Sequence, residues 1–98
     1  MLKLNSKQVS HLRAMSHALN PVVMIGNNGL SESVLKEIEV SLNAHELIKI
    51  KVSGDDRALR KQMLVDICEK TGAVAIHHIG KQLVIFRPSE KAAIQLPK

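Results

Sequence analysis

Gly26 and Gly29 bracket Asn27 and Asn28, directly after an apolar run and directly before a stretch with helical spacing. Glycine lacks a Cβ, so it lets another backbone come close and takes positive φ without strain. A helix starting behind these residues offers N–H groups near Leu30 to Val34 and the positive end of its dipole. Together these features suit a phosphate group and read no particular base. No Gly-Lys-Ser/Thr follows, so the loop is not a nucleotide P-loop, and it lacks the third glycine of a dinucleotide fingerprint. A Gly-x-x-Gly turn is also an ordinary passage from strand to helix, so this spacing alone leaves both readings open.

The other residues able to do chemistry are less well placed. His77 and His78 are adjacent in a β-rich run, so their side chains point to opposite faces. His11 and His17 are six apart, and His45 has no Cys or carboxylate at finger-like spacing, so no metal site is expected. His45 follows the second helical stretch, where an imidazole can cap a terminal carbonyl. Cys68, the single cysteine, falls on the inward stripe of a helix and reads as a small core residue. It allows no internal disulfide, which suits a reducing cytoplasm. No Ser-His-Asp order or pair of carboxylates stands out, so no catalytic residue, cofactor or small-molecule substrate is expected.

Charge supplies a second line of argument. The 98 residues carry 14 Lys and Arg against 9 Asp and Glu, a net charge of +5. Residues 1–30 hold Lys3, Lys7 and Arg13 with no acid, and residues 71–98 hold Lys81, Arg87, Lys91 and Lys98 against Glu90. The excess therefore sits in the two outer thirds, and suits a polyanion that releases counterions on meeting Lys and Arg. Trp and Tyr are absent and Phe86 is the one aromatic, which disfavours recognition by base stacking. No run of eighteen apolar residues exists to cross a membrane, and the first residues lack the apolar block of a secretory signal.

These residues must be positioned by elements that the spacing predicts. Ser6 is the expected cap of a first helix whose Val9, Leu12, Met15 and Leu19 recur every three or four residues, ending at Asn20-Pro21. Residues 21–25 are continuously apolar and predict a buried strand. Ser31 caps a second helix with Leu35, Ile38 and Leu42 inward and Glu32 pairing with Lys36. Residues 47–52 alternate, with Ile48, Ile50 and Val52 on one face and Leu47, Lys49 and Lys51 on the other. Residues 53–56 open a third helix that stops at Gly72, with Leu64, Ile67, Cys68 and Thr71 inward and Leu59 and Met63 beside them. Residues 73–79 and 82–87 form a hairpin about Gly80-Lys81, and the tail 89–98 is peripheral. The outcome is one compact α/β domain of order α-β-α-β-α-β-β over residues 1–98, core about 4–88, with three helices and a mixed four-stranded sheet.

Three stretches carry a family resemblance: Pro21 to Leu30, His45 to Val52, and Ile79-Gly80 with Val84 to Pro88. Together they resemble the CRM domain, named for chloroplast RNA splicing and ribosome maturation, and most of all its stand-alone bacterial YhbY-like form. The resemblance runs from about Leu4 to Pro88. It implies an RNA-binding domain whose fold is similar to the C-terminal domain of bacterial translation initiation factor three. It also implies association with precursors of the large ribosomal subunit. Family RNA binding centres on the GxxG loop, which falls here on Gly26, Asn27, Asn28 and Gly29, with basic residues nearby. Many members place Lys or Arg inside that loop. This chain has two Asn there, so its loop must lean on N–H groups and amide side chains, with cations supplied from elsewhere.

Lys7 and Arg13 lie with Lys3, Ser10 and His17 on the first helix opposite its apolar stripe, and are expected to meet phosphates. Lys49 and Lys51 line the outer face of their strand or snorkel beside a helix. Arg87 ends the last strand and Lys81 sits in the hairpin, both within possible reach of RNA. Arg57 and Arg60 share a line with Leu64 and Ile67, so they reach over the core rim or pair with carboxylates such as Asp56. The expected function is non-catalytic binding of structured ribosomal RNA during large-subunit assembly. The alternative is a protein-interaction module that docks an assembly factor.

Overall fold

The computed structural model describes residues 3–98. Asn5, not Ser6, caps the first helix, α1 (Ser6–Ser16). The Asn5 side chain accepts the Gln8 N–H at 2.8 Å, and Gln8 Oε1 accepts the Asn5 N–H at 3.0 Å. This reciprocal capping box satisfies a donor at each end, which Ser6 cannot do without a Glu or Gln three residues on. The helix also stops earlier than its apolar spacing predicts. Ala18 and Leu19 N–H groups bond the Met15 and Ser16 carbonyls in a tightened last turn, so Leu19 still reaches the core.

The helices α2 (Glu32–His45) and α3 (Arg57–Thr71) begin where the chain predicts, and α3 also ends there, while α2 takes in His45, which the chain places just after it, and is capped by Glu46. Ser31 caps α2 by accepting the Val34 N–H at 3.2 Å, and Asp56 caps α3 through the Leu59 N–H at 3.1 Å. Gly72, at φ +73°, closes α3 in the left-handed conformation. Ile38 and Leu42 of α2 and Ile67 of α3 are fully enclosed. Leu59 departs from expectation: it is half exposed. Glu32 and Lys36 form no ion pair, and among the described residues the ion pairs are Lys81 with Asp55 and Arg87 with Glu39.

Four strands, β1 (Val23–Ile25), β2 (Leu47–Val52), β3 (Val74–Ile79) and β4 (Gln82–Phe86), form one sheet in the order β1-β2-β4-β3. β1 and β2 pair in parallel, while β4 runs antiparallel to both β2 and β3. β1 is therefore an edge strand, not the fully buried one that its apolar run predicts. Val23 and Ile25 face the core, and Met24 between them is 67% exposed. A bulge between Ala75 and His77 bends β3. Arg13 Nε donates to the Ile76 carbonyl at 2.9 Å, satisfying a backbone oxygen at the irregularity.

Both faces of the sheet are covered. On one, α2 and α3 close over Ile25, Ile48, Ile50, Val52, Leu83 and Ile85. On the other, Leu12 of α1 packs with Leu47, Ile76, Val84 and Phe86. The tail forms no helix or strand, yet it is docked on this second cluster through Ile94 and Leu96. Its anchor is Glu46, which is buried and sits at φ +68°, ψ −49° as the cap of α2. That conformation is strained for a residue with a Cβ. The Glu46 carboxylate accepts the hydroxyl and N–H of Ser89 and the N–H groups of Ala93 and Ile94. The Ser89 hydroxyl and these N–H donors outweigh burial and hold the carboxyl down at about 2. His45, in contrast, is exposed.

Candidate nucleic-acid interface

Residues 26–29 form a tight turn at the C-terminal end of β1, closed by the Gly29 N–H donating to the Gly26 carbonyl at 3.0 Å. Gly29 alone of the two glycines has positive φ, +67°. A Cβ there would lie 4.0 Å from Cε of Met63, so the end of an α3 side chain lies against the turn. A Cβ on Gly26 would meet nothing within 4 Å. Gly26, Asn27 and Asn28 are exposed. The Ser31 N–H is taken by the Gly29 carbonyl and the Val34 N–H by the Ser31 hydroxyl. This leaves the N–H groups of Glu32 and Ser33 without an acceptor among the described residues. They sit at the positive end of a fourteen-residue helix.

Other segments meet at this end of the sheet. The Ser53 N–H and hydroxyl both donate to the Ile25 carbonyl, at 2.9 and 3.2 Å, tying the exit of β2 to the turn. The Val52 N–H donates to the Lys81 carbonyl at 2.8 Å, and Lys81 Nζ lies 3.0 Å from Asp55. The Lys81 ammonium holds the Asp55 carboxyl below its usual range. Arg60, only 8% exposed, donates from Nη1 to the Gly54 carbonyl at 3.2 Å and from Nε to His78 Nε2 at 3.4 Å. It does not pair with Asp56, whose carboxylate is committed to capping α3. The start of α2, the start of α3 and the β3–β4 hairpin thus face the same side as the glycine turn.

The cations sort into different surroundings. Lys51 is exposed on β2, in register with Met24 on β1, one residue short of the strand's end. Lys49 lies on the same strand face but is 7% exposed, walled by the end of α1 and the chain leading into β1. Lys7 is exposed, and the neighbouring Gln8 Nε2 donates to the Pro97 carbonyl at 3.0 Å, which puts this turn of α1 beside the tail. Arg13 is bound to the Ile76 carbonyl. Arg87 lies at the opposite end of the sheet, where it bonds the Thr71 carbonyl at 2.7 Å and Asn43 Oδ1 at 3.0 Å and pairs with Glu39 at 2.8 Å. The spacing did not single out Met63 under Gly29, although Met63 shares a helix face with Leu59, four residues earlier.

His78 faces α3 and Arg60, and His77 faces α1. Burial, aided by Arg13, His17 and His78, lowers the His77 pKa below the ordinary imidazole value. Burial pushes the Cys68 thiol up to about 11, which disfavours the thiolate. Among the described residues no group of three His, Cys, Asp or Glu can hold a metal ion, and no helix is long and apolar enough to cross a membrane.

Comparison with known proteins adds an independent finding. Residues 4–87 match the CRS1 / YhbY (CRM) domain. The chain is 51% identical over 98 residues to an RNA-binding protein of Haemophilus influenzae, covering 100% of this chain and 99% of that one. It is 34% identical over 90 residues to a Pseudomonas aeruginosa protein named "Probable RNA-binding protein", covering 92% of this chain and 86% of that one. Its fold superposes with a TM-score of 0.84 on the solution structure of a hypothetical Staphylococcus aureus protein proposed to bind RNA. The two share 33% sequence identity, and the match covers 97% of this chain and 100% of that one. The fold thus recurs along nearly the whole chain, and the chain belongs to the CRS1 / YhbY (CRM) domain family.

Proposed function

We propose that this chain is a non-catalytic RNA-binding domain that holds the phosphate backbone of structured RNA at the glycine-turn end of its sheet. The observation that carries the reading is the junction itself. An exposed turn with no charged side chain delivers the chain into α2, whose Glu32 and Ser33 N–H groups lack acceptors among the described residues. Anions favour such helix starts. Lys51 on β2 supplies positive charge beside the turn, and the +5 net charge supplies longer-range attraction. The names of the relatives from Haemophilus influenzae and Pseudomonas aeruginosa point the same way. The RNA is ribosomal RNA in precursors of the large subunit, a reading that rests on the resemblance in residues 21–30 and 45–52.

Gly26→Asp tests the turn with little disturbance of the fold, since its Cβ has open space and its φ is ordinary. A carboxylate there should lower affinity for a structured ribosomal RNA fragment about tenfold, the effect of about 1.4 kcal/mol. Gly26→Ala, which adds bulk without charge, should bind nearly as the parent chain does. Unchanged affinity in a folded Gly26→Asp variant would remove the turn from the mechanism. Co-sedimentation with ribosomal particles tests the partner. Loss on nuclease treatment supports RNA, whereas survival through nuclease and high salt would replace it with a protein contact.

A further inference from the structure

On the α1 side of the sheet, the end of α1, the chain into β1 and the middle of β2 enclose a groove of about 480 Å³. Its walls are chiefly aliphatic, from Met15, Ala18, Leu19, Val22 and the tail residue Ile94, with Asn20, His45 and Lys49 as its polar lining. Lys49 is more than nine-tenths buried. Among the described residues its ammonium has no carboxylate within ion-pair distance and no hydrogen-bond acceptor. Every fully buried side-chain nitrogen or oxygen in the described residues has a partner, so this ammonium is not sealed in, and the exposure it keeps opens to the groove. An ammonium that emerges at the end of a largely buried stem is still a free donor, and its partly dry surroundings strengthen the bond to any acceptor that enters.

The groove is continuous with the turn end of the sheet. The Val22 N–H donates to the Lys49 carbonyl at 3.0 Å, and two residues further on exposed Met24 stands in register with exposed Lys51. From Val22 to Gly26 an extended chain spans about 13 Å, a stretch that a few nucleotides of a single strand can follow. α1 covers the β2, β4 and β3 part of this face and leaves β1 open.

We propose that this groove takes one unpaired nucleobase of the RNA whose phosphate is held at the glycine turn. The base lies between Met15, Leu19 and Val22, and the Lys49 ammonium donates to a carbonyl on its edge, so uracil, guanine or cytosine fits, adenine lacks the acceptor, and a paired base does not enter. Lys51 and Met24 carry the intervening backbone. Aliphatic walls here replace the aromatic platforms that the chain lacks. The inference rests on the proposed RNA-binding role, and adds a subsite that admits a base where the turn admits only backbone.

Methyl-resolved NMR with two probes separates the two sites: a decameric oligouridylate and the same ribose-phosphate strand without bases. The oligouridylate should shift the methyls of Met15, Leu19 and Val22, and the abasic strand should not, while both shift the amides of residues 26–33. Lys49→Met keeps the apolar stem and should weaken oligouridylate binding about fivefold, clearly more than it weakens the abasic strand, which loses only a long-range attraction. Ala18→Leu, which fills the groove from an exposed position, should do the same. Equal methyl shifts with both probes, silent groove methyls, or full oligouridylate affinity in a folded Lys49→Met variant would overturn the subsite. Gly26→Asp reads the turn separately: if it leaves both probes bound as before, the turn reading fails whatever the groove does.

Discussion

Gly26 and Gly29 look equivalent as residue types and are not equivalent in space. Gly29 sits at φ +67° above Met63, so any side chain there carries backbone strain as well as chemistry. Gly29→Asp should therefore cost about 1 kcal/mol of stability in addition to its effect on binding, and a thermal melt beside a binding titration separates the two losses. Gly26→Asp should show the binding loss with an unshifted melt. Glu32 occupies the first turn of α2 and turns a negative charge toward the same helix start. Glu32→Gln should tighten RNA binding about twofold to fivefold by removing that repulsion. Fluorescence anisotropy at low salt checks it, and the gain should fade as salt rises.

Among the elements, α1 shows how a basic face divides once it is docked. Arg13 is tied through Nε to the Ile76 carbonyl at the bulge in β3 while its side chain stays exposed and charged, whereas Lys7 is exposed with no such tie. Arg13→Ala should thus lower stability by about 1 kcal/mol, the worth of a typical hydrogen bond, read as a lower denaturant midpoint. Lys7→Ala should leave the midpoint alone. If α1 touches phosphates, Lys7→Ala should also make the logarithmic salt slope of binding shallower by about one; an unaltered slope would show that α1 faces away from RNA. β1 shows the limit of periodicity. A run such as Pro21 to Ile25 suits a buried strand or an edge, and only the pairing order decides between them. Its edge position is what leaves Met24 and Val22 exposed beside the groove.

In the whole molecule, Glu46 joins the end of α2 to the C-terminal tail, and Gln8 joins α1 to the same tail near its end. The Glu46 carboxyl is held near 2 against an ordinary 4.5, so its contribution to stability is complete above pH 4.5 and is lost as pH falls toward 2. Amide exchange at Ala93 and Ile94 should accelerate over that window before the core unfolds. Glu46→Gln presents an NH₂ group to donors that need an acceptor, and should release the tail at neutral pH. The expected cost is about 1.5–3 kcal/mol, the range for hydrogen bonds to a charged group. A tail that stays protected in this variant would shift the anchor to Ile94 and Leu96.

Much of the fold was legible because local chemistry decides it. The cap at Ser31, the opening of α3 after residues 53–56, the stop at Gly72, the Gly80-Lys81 hairpin and the alternation in residues 47–52 are short-range signals, and each stands where the chain predicts. The glycine turn was legible for the same reason. The remaining assignments depend on partners far away in the chain. Which face of β2 is buried, with Lys49 enclosed and Lys51 open, follows from α1 docking on the sheet. Whether Arg13 and Arg87 are free follows from Ile76, Thr71, Asn43 and Glu39. That Glu46 is an anchor follows from residues more than forty positions later. Sequence by itself determined the elements and the glycine turn, because capping and turn geometry act over a few residues. Only the tertiary structure decided which cations are held in place and which stand free, because a side chain is fixed by whatever carbonyl or carboxylate the fold brings to it.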